Sequence, residues 1–252
     1  MPPLRTMSRV WPWPVFLLMA SPALAAECRE EQVQGNSYVI CDVDMAREDL
    51  RLFLYDKDSD PFGYFGNVTR ALEGEGKVLG FAMNAGMYHD DRRPVGHYIE
   101  EGKEFQKVIS SAGPGNFGLL PNGVLCLQEG RADVMETIAY LDAAPDCRFA
   151  TQSGPMLVID GALHPRFLVD GTSRYLRNGV GTSADGQTVT FAISDNPVNF
   201  HEFGSLFRDH LQLDNALFLD GNISRIHAPD LGRSGAGFTQ MGPIIGVVEP
   251  AD

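Results

Sequence analysis

The polar residues best placed for chemistry fall in four glycine-bearing turns beside apolar stretches. These are Met83-Asn-Ala-Gly-Met-Tyr88, Thr151-Gln-Ser-Gly-Pro-Met156, Arg174-Tyr-Leu-Arg-Asn-Gly-Val-Gly181 and Leu219-Asp-Gly-Asn-Ile-Ser224. A polar side chain at a strand end can face a ligand, and an adjacent glycine lets backbone and ligand approach closely. The order helix, apolar strand, polar glycine turn occurs at 65–86 and again at 200–222. This echo predicts that Asn84 and Asp220 occupy related positions in one cleft. Each residue also has a plainer reading. Asp before Gly commonly just forms a turn, and Asn tolerates left-handed backbone. An arginine on an acidic protein can simply pair with a surface carboxylate.

What is missing narrows the chemistry. The chain has no G-x-S-x-G elbow, no H-E-x-x-H, no P-loop and no G-x-G-x-x-G after a strand. An ordinary serine hydrolase, zincin, NTPase or dinucleotide enzyme is therefore not expected. Ser153 and Ser224 have no nearby base in the sequence. His89 and His97, with Asp90 and Asp91, match no standard metal-ligand spacing, so neither a metal nor a cofactor is assigned. His227 follows the Asp220 turn by seven residues and is left as either an acid/base or a surface-loop residue.

The elements that must position these turns read mostly as strands. Alternation of apolar and polar residues predicts strands at Ser37–Cys41 and Asp49–Tyr55, with a buried strand at Lys77–Met83. Hairpins are expected from Val95–Glu100 with Glu104–Ser110, and from Phe117–Leu120 with Val124–Gln128 across Pro121-Asn122-Gly123. A third joins Gly179–Ser183 to Thr188–Ser194 through Asp185-Gly186. Phe149–Asp160 reads as a strand broken at Gly154-Pro155, and Ala216–Leu219 and Pro243–Val248 as closing strands. Phe65–Leu72 and Asp133–Tyr140 are short helix candidates. Val198–Leu213 is a stronger one, with Phe200, Phe203, Leu206, Phe207 and Leu211 on one face. The expected class is α+β: a single domain of mixed, largely antiparallel sheets flanked by two or three helices.

The N-terminus predicts export. Arg5 and Arg9 precede an apolar run from Val10 to Ala20, then Ala23-Leu24-Ala25 offers a small-x-small cleavage site. The run is shorter than the roughly 20 residues a spanning helix needs, and Pro12 and Pro14 interrupt it. Residues 1–25 are thus read as a cleaved signal peptide and 26–252 as the working domain. The location implied is secreted, or periplasmic in a Gram-negative source, with no membrane anchor after cleavage. A formal net charge of −13 makes nucleic acid a poor partner. The four cysteines suit two disulfides in an oxidising compartment. Pairing Cys28 with Cys41 and Cys126 with Cys147 closes the shortest loops and is preferred among the three possible pairings.

Taken in order, Asn84-Ala-Gly-Met87, Gly154-Pro-Met-Leu157, Arg177-Asn-Gly-Val-Gly181 and Leu219-Asp-Gly-Asn-Ile-Ser224 resemble motifs of the phosphodiester glycosidase family. That family includes the lysosomal N-acetylglucosamine-1-phosphodiester α-N-acetylglucosaminidase and exported bacterial relatives. The resemblance runs over about residues 76–248, with Ala85 and Asn222 standing where the family pattern has glycine. It implies hydrolysis of a sugar-1-phosphodiester, or a related envelope glycan linkage, at the anomeric C–O bond. Such a site needs donors for the phosphate and a carboxylate facing the anomeric carbon. Under that resemblance Arg177, then Arg174, is the expected phosphate ligand. Asp220 is the expected nucleophile or base and Asp195 the second carboxylate. Asn84, Gln152 and Asn178 would bond sugar hydroxyls or phosphate oxygens, with Gly86, Ser153, Gly154, Gly221, Asn222 and Ser224 lining the same subsites. Two other readings stay open: a non-catalytic module binding anionic glycans, and an exported phosphodiesterase that cuts the P–O bond.

Overall fold

A two-residue turn starts the architecture. Gln34 and Gly35, at φ 51° and 81°, join strand β1 (Glu27–Val33) to β2 (Asn36–Asp44). Positive φ at both positions matches the right-handed twist of a hairpin. The computed structural model describes residues 26–220 and 223–251; the expected leader 1–25 and the turn residues Gly221 and Asn222 lie outside them. β3 (Asp49–Phe53), helix α1 (Phe65–Glu73) and β4 (Lys77–Asn84) follow. Next come β5 (Tyr98–Glu100), β6 (Lys103–Gln106), β7 (Gly123–Gln128), β8 (Arg131–Glu136) and helix α2 (Thr137–Ala143). Then come β9 (Phe149–Ser153), β10 (Met156–Ile159), β11 (Ala162–Leu163), β12 (Asn178–Thr182) and β13 (Thr188–Ser194). Helix α3 (Phe200–Ser205) runs into a π-helical turn at Leu206–His210, and β14 (Asn215–Phe218), β15 (Ile226–His227) and β16 (Ile244–Pro250) end the chain.

The strands form three sheets, ordered β1-β2-β13-β12-β14-β10-β11, β15-β4-β16-β3 and β6-β5-β9-β7-β8. Pairing between these named strands is antiparallel throughout. The period-2 alternation of each strand sends one set of side chains inward. Val39, Phe191 and Leu217 of the first sheet meet Phe81 and Ile245 of the second and Leu125 of the third in one shared core. The opposite face of each sheet carries its own helix. Phe203, Leu206 and Phe207 cover the first, Phe65, Val68 and Leu72 the second, and Tyr140 of α2 the third. Burying each large apolar side chain contributes about 1.5–3 kcal/mol, so the helices close the sheets rather than stand alone. This is the α+β single domain that the strand and helix pattern implies.

The disulfides pair as the short-loop reading expects, Cys28 with Cys41 and Cys126 with Cys147. Cys28 and Cys41 face each other across the β1–β2 register. Other expectations need correction. Phe117–Leu120 is not a strand, because Asn122 Nδ2 donates to Phe117 O and folds that segment back. The hairpin partner of β7 is β8, reached through Gly130 at φ 66°, and β9 pairs with its other edge. Asp133–Tyr140 is not one helix. Ala132 and Val134 alternate inward as strand, and Glu136 then accepts from Ile138 N and Ala139 N to start α2. The long helix at 198–213 starts on an Asn199–Glu202 capping box and loosens to a π turn. Among the described residues, no helix is long and apolar enough to cross a membrane.

Candidate active site

Three strand ends converge on one side chain. Asn178, fully buried at the start of β12, donates from Nδ2 to the backbone O of Asn84 at 2.9 Å. Its Oδ1 accepts from the backbone N of Asp220 at 3.1 Å, and its backbone O accepts from Leu219 N at 3.1 Å. One carboxamide therefore joins the end of β4 to the segment after β14, strands of two different sheets. The repeated helix–strand–turn units do meet, and Asn178 is the joint. Asn84 Oδ1 accepts from Arg225 N at 2.8 Å, while its Nδ2 is buried with no partner among the described residues. Ser224 Oγ lies 3.1 Å from Asp220 O and 3.2 Å from Leu176 O, bracing the far side of the same turn.

The convergence backs a cleft of about 1020 Å³ whose lining includes Arg177 and Asp220. Arg177 is 1% exposed, and no carboxylate pairs with it among the described residues. Its Nε donates to Val198 O and its Nη2 to Ser173 O, both at 2.9 Å, while Nη1 has no partner among the described residues. The guanidinium lies 3.6 Å from the Phe200 ring centroid, with Phe218 and Tyr175 further around it. Burial brings its pKa down to about 10, which leaves it charged at neutral pH. An uncompensated buried charge is costly unless an anion completes it. Asp220, 7% exposed, lies in the same cleft.

The other expected residues that the structure describes are not among those lining this cleft. Gln152 spends its carboxamide on the chain: Oε1 accepts from His97 N and Ile109 N, and Nε2 donates to Ile109 O. It thereby anchors the loop that forms the opposite wall. Ser153 Oγ donates to Leu219 O and holds the Asp220 segment from behind. Gly86 is packed so tightly that a Cβ would lie 2.5 Å from Thr151 Oγ1 and 2.8 Å from Gln152 O. Gly154 precedes a cis proline, and a Cβ there would lie 2.8 Å from that of Asn122. Arg174 pairs with Glu202 at 2.8 Å. Asp195 is held by Arg233, each of its oxygens 2.8 Å from a guanidinium nitrogen. Gly221 and Asn222 fall outside the described residues.

Several lining residues carry no role in the motif reading. Tyr88 and Arg92 sit on the turn after β4, and the glycine-rich stretch from Ser111 to Phe117 forms a further wall. Burial first, and then the charge of Asp220, pushes the Tyr88 phenol up to about 12. Tyr88 closes the first selected turn, and Ser111–Phe117 has the same polar, glycine-bearing composition, so both signals were present in the sequence. Among the described residues, no cluster of His, Cys, Asp and Glu is arranged to hold a metal.

Comparison with known proteins fits this geometry. The family model for phosphodiester glycosidases matches residues 78–226, spanning Asn84, Arg177 and Asp220. The chain is 30% identical over 180 residues to the Escherichia coli K12 protein YigE, covering 71% of this chain and 70% of YigE. The zebrafish N-acetylglucosamine-1-phosphodiester α-N-acetylglucosaminidase catalytic domain superposes with a TM-score of 0.60 at 15% identity, over 91% of this chain and 84% of that one. A Synechocystis protein superposes with a TM-score of 0.58 at 13% identity; 88% of this chain matches, and the match spans 61% of the Synechocystis chain. At such identities the two structures testify to the fold alone. The match to the family model goes further: the chain belongs to the phosphodiester glycosidase family.

Proposed function

We propose that this chain is an exported hydrolase that cleaves a sugar-1-phosphodiester at the anomeric C–O bond. The observation that carries the reading is Arg177, a buried guanidinium with one N–H-bearing nitrogen that has no partner among the described residues, in the same cleft as Asp220. Arg177 would donate from Nη1 to a non-bridging phosphate oxygen. As the C–O bond lengthens, negative charge grows on the phosphate, so that contact strengthens toward the transition state. A phosphate leaves more readily than an alkoxide, which reduces the need for a strong general acid. Asp220 would face the anomeric carbon as nucleophile or base, stabilising the oxocarbenium-like state. Asn178, Ser153 and Ser224 would fix that carboxylate's segment, and Gln152 the facing loop.

Export through cleavage of residues 1–25 is part of the proposal. Two disulfides, Cys28–Cys41 and Cys126–Cys147, support an oxidising compartment. N-terminal sequencing of the protein recovered outside the cytoplasm should read from Ala26; an intact Met1 in the exported fraction contradicts it.

The activity is tested with nitrophenyl phosphodiesters of a panel of sugars. Free sugar together with nitrophenyl phosphate supports the reading. Sugar-1-phosphate with nitrophenol indicates P–O cleavage instead. Tight binding with no turnover on any member indicates a non-catalytic glycan-binding module.

A further inference from the structure

Two adjacent arginines after β4 behave differently. Arg93 takes the nearby carboxylate of Asp91 at 2.7 Å. Arg92 takes neither Asp90 nor Asp91; its guanidinium lies over the Tyr88 ring at 5.4 Å, its Nε is buried without a partner among the described residues, and it lines the cleft. The backbone supports this at a cost. Arg92 has φ 72°, a left-handed conformation that favours glycine or asparagine, and it is fixed there by Arg92 N donating to His89 O and His89 N donating to Arg93 O. On a chain with 33 acidic and 20 basic residues, a strained arginine with no carboxylate partner among the described residues is not explained by surface pairing. With Arg177 it makes two guanidiniums lining one cleft that have no carboxylate partner among the described residues. Its position is informative as well. Arg92 packs over Tyr88 whereas Arg177 packs against Phe200, and both line the cleft that holds Asp220, so the guanidinium assigned to the phosphate leaves a second one for the rest of the substrate.

We infer that the sugar carries its own anionic group, a carboxylate or a phosphoryl group, which Arg92 binds; this rests on the reading of the cleft as a sugar-1-phosphate site. A neutral hexose would offer Arg92 only hydroxyl oxygens, whereas an anionic group completes the guanidinium with charge-assisted hydrogen bonds.

Calorimetric titration of the oxidised protein with glucose 1-phosphate, glucose 1,6-bisphosphate and glucuronic acid 1-phosphate tests this. At least one of the two doubly anionic probes should bind about tenfold or more tightly than glucose 1-phosphate, as a charge-assisted contact implies. Which of them gains tells a phosphoryl group from a carboxylate. The Arg92→Gly variant relieves the left-handed backbone and is therefore expected to fold; in it the advantage should shrink to within about threefold. Arg92→Lys should keep part of the advantage, and Arg177→Met should weaken all three probes alike. Equal affinity for the three probes in the native protein, no binding by any of them, or a full advantage retained by Arg92→Gly overturns the inference. The nitrophenyl assay decides the hydrolase reading separately, since turnover of a neutral-sugar substrate with no acidic preference defeats only the present inference.

Discussion

Replacing Arg177 by Met should remove anion binding at a limited cost in stability, and the balance can be worked from the contacts. Burial brings the guanidinium down to about 10, a desolvation cost on the order of 3 kcal/mol that the variant no longer carries. Against this, two charge-assisted donations are lost, each contributing roughly 1.5–3 kcal/mol. The carbonyls they leave are not stranded. Val198 O still accepts from Tyr175 N, and Ser173 is exposed to water. Methionine fills the space against Phe200 and Phe218 with a flexible apolar chain. The net loss of unfolding free energy should therefore be no more than about 3 kcal/mol. Ligand linkage gives the opposite contrast. For a site with a dissociation constant of about 1 mM, 50 mM inorganic phosphate stabilises the native protein by roughly 2 kcal/mol. In a chain of this size that raises Tm by about 5–9 °C. The general salting effect of phosphate acts on both proteins alike, so thermal scans of native and Arg177→Met with and without phosphate isolate the site. If phosphate raises Tm equally in both, Arg177 is not the anion ligand and the reasoning fails.

Three further outcomes are expected. Asn178→Ala breaks the joint between Asn84 O and Asp220 N, so denaturant titration should show a loss of about 2–4 kcal/mol; kcat on a nitrophenyl substrate should fall at least tenfold, and unchanged kcat would show that the joint does not position the cleft. Reduction of Cys126–Cys147, which closes a 21-residue separation, should lower stability by about 3 kcal/mol, read as a shifted urea midpoint in the Cys126→Ser, Cys147→Ser double variant. Stability should also depend on pH through Glu48 and Glu100, both pushed up to about 7 chiefly by burial. A carboxyl raised in the folded state favours folding below its unfolded value near 4.5, and that contribution is lost as pH rises through about 7. Asp49, held low mainly by Arg51, works in the other direction and loses its contribution in acid. Tm should therefore peak near pH 5 and fall toward pH 8, with Glu48→Gln flattening the alkaline side; a native Tm that rises from pH 5 to pH 8 contradicts the assignment.

Local signals in the sequence carried much of this fold. The Asp185-Gly186 hairpin, the Asn199–Glu202 helix start and the two shortest-loop disulfides depend on residues close together in the chain. The β7–β8 pairing was hidden because Pro121-Asn122-Gly123 carries a stronger turn signature than Glu129-Gly130. Long-range hydrogen bonds then override it, with Thr137 Oγ1 donating to Asn122 Oδ1 at 2.7 Å. The same limit governs the cleft. Arg177 and Asp220 were visible as residue types at strand ends, whereas the structural use of Gln152, the pairing of Asp195 with Arg233 and the inward turn of Arg92 arise from contacts between residues distant in the chain or from backbone conformation. Motif order found the neighbourhood of the site, and only packing distinguishes the side chains lining it from those that brace it.

The central claim is cleavage at the anomeric carbon, and the position of the water oxygen tests it most directly. Hydrolysis of a sugar-1-phosphodiester in 18O-enriched water, followed by phosphorus NMR, reports whether the new oxygen is bonded to phosphorus. Attack at carbon leaves the phosphomonoester product unlabelled and delivers 18O to the sugar, with the reaction abolished in Asp220→Asn. An isotope-shifted phosphorus resonance in the product would place the attack at phosphorus and contradict the account.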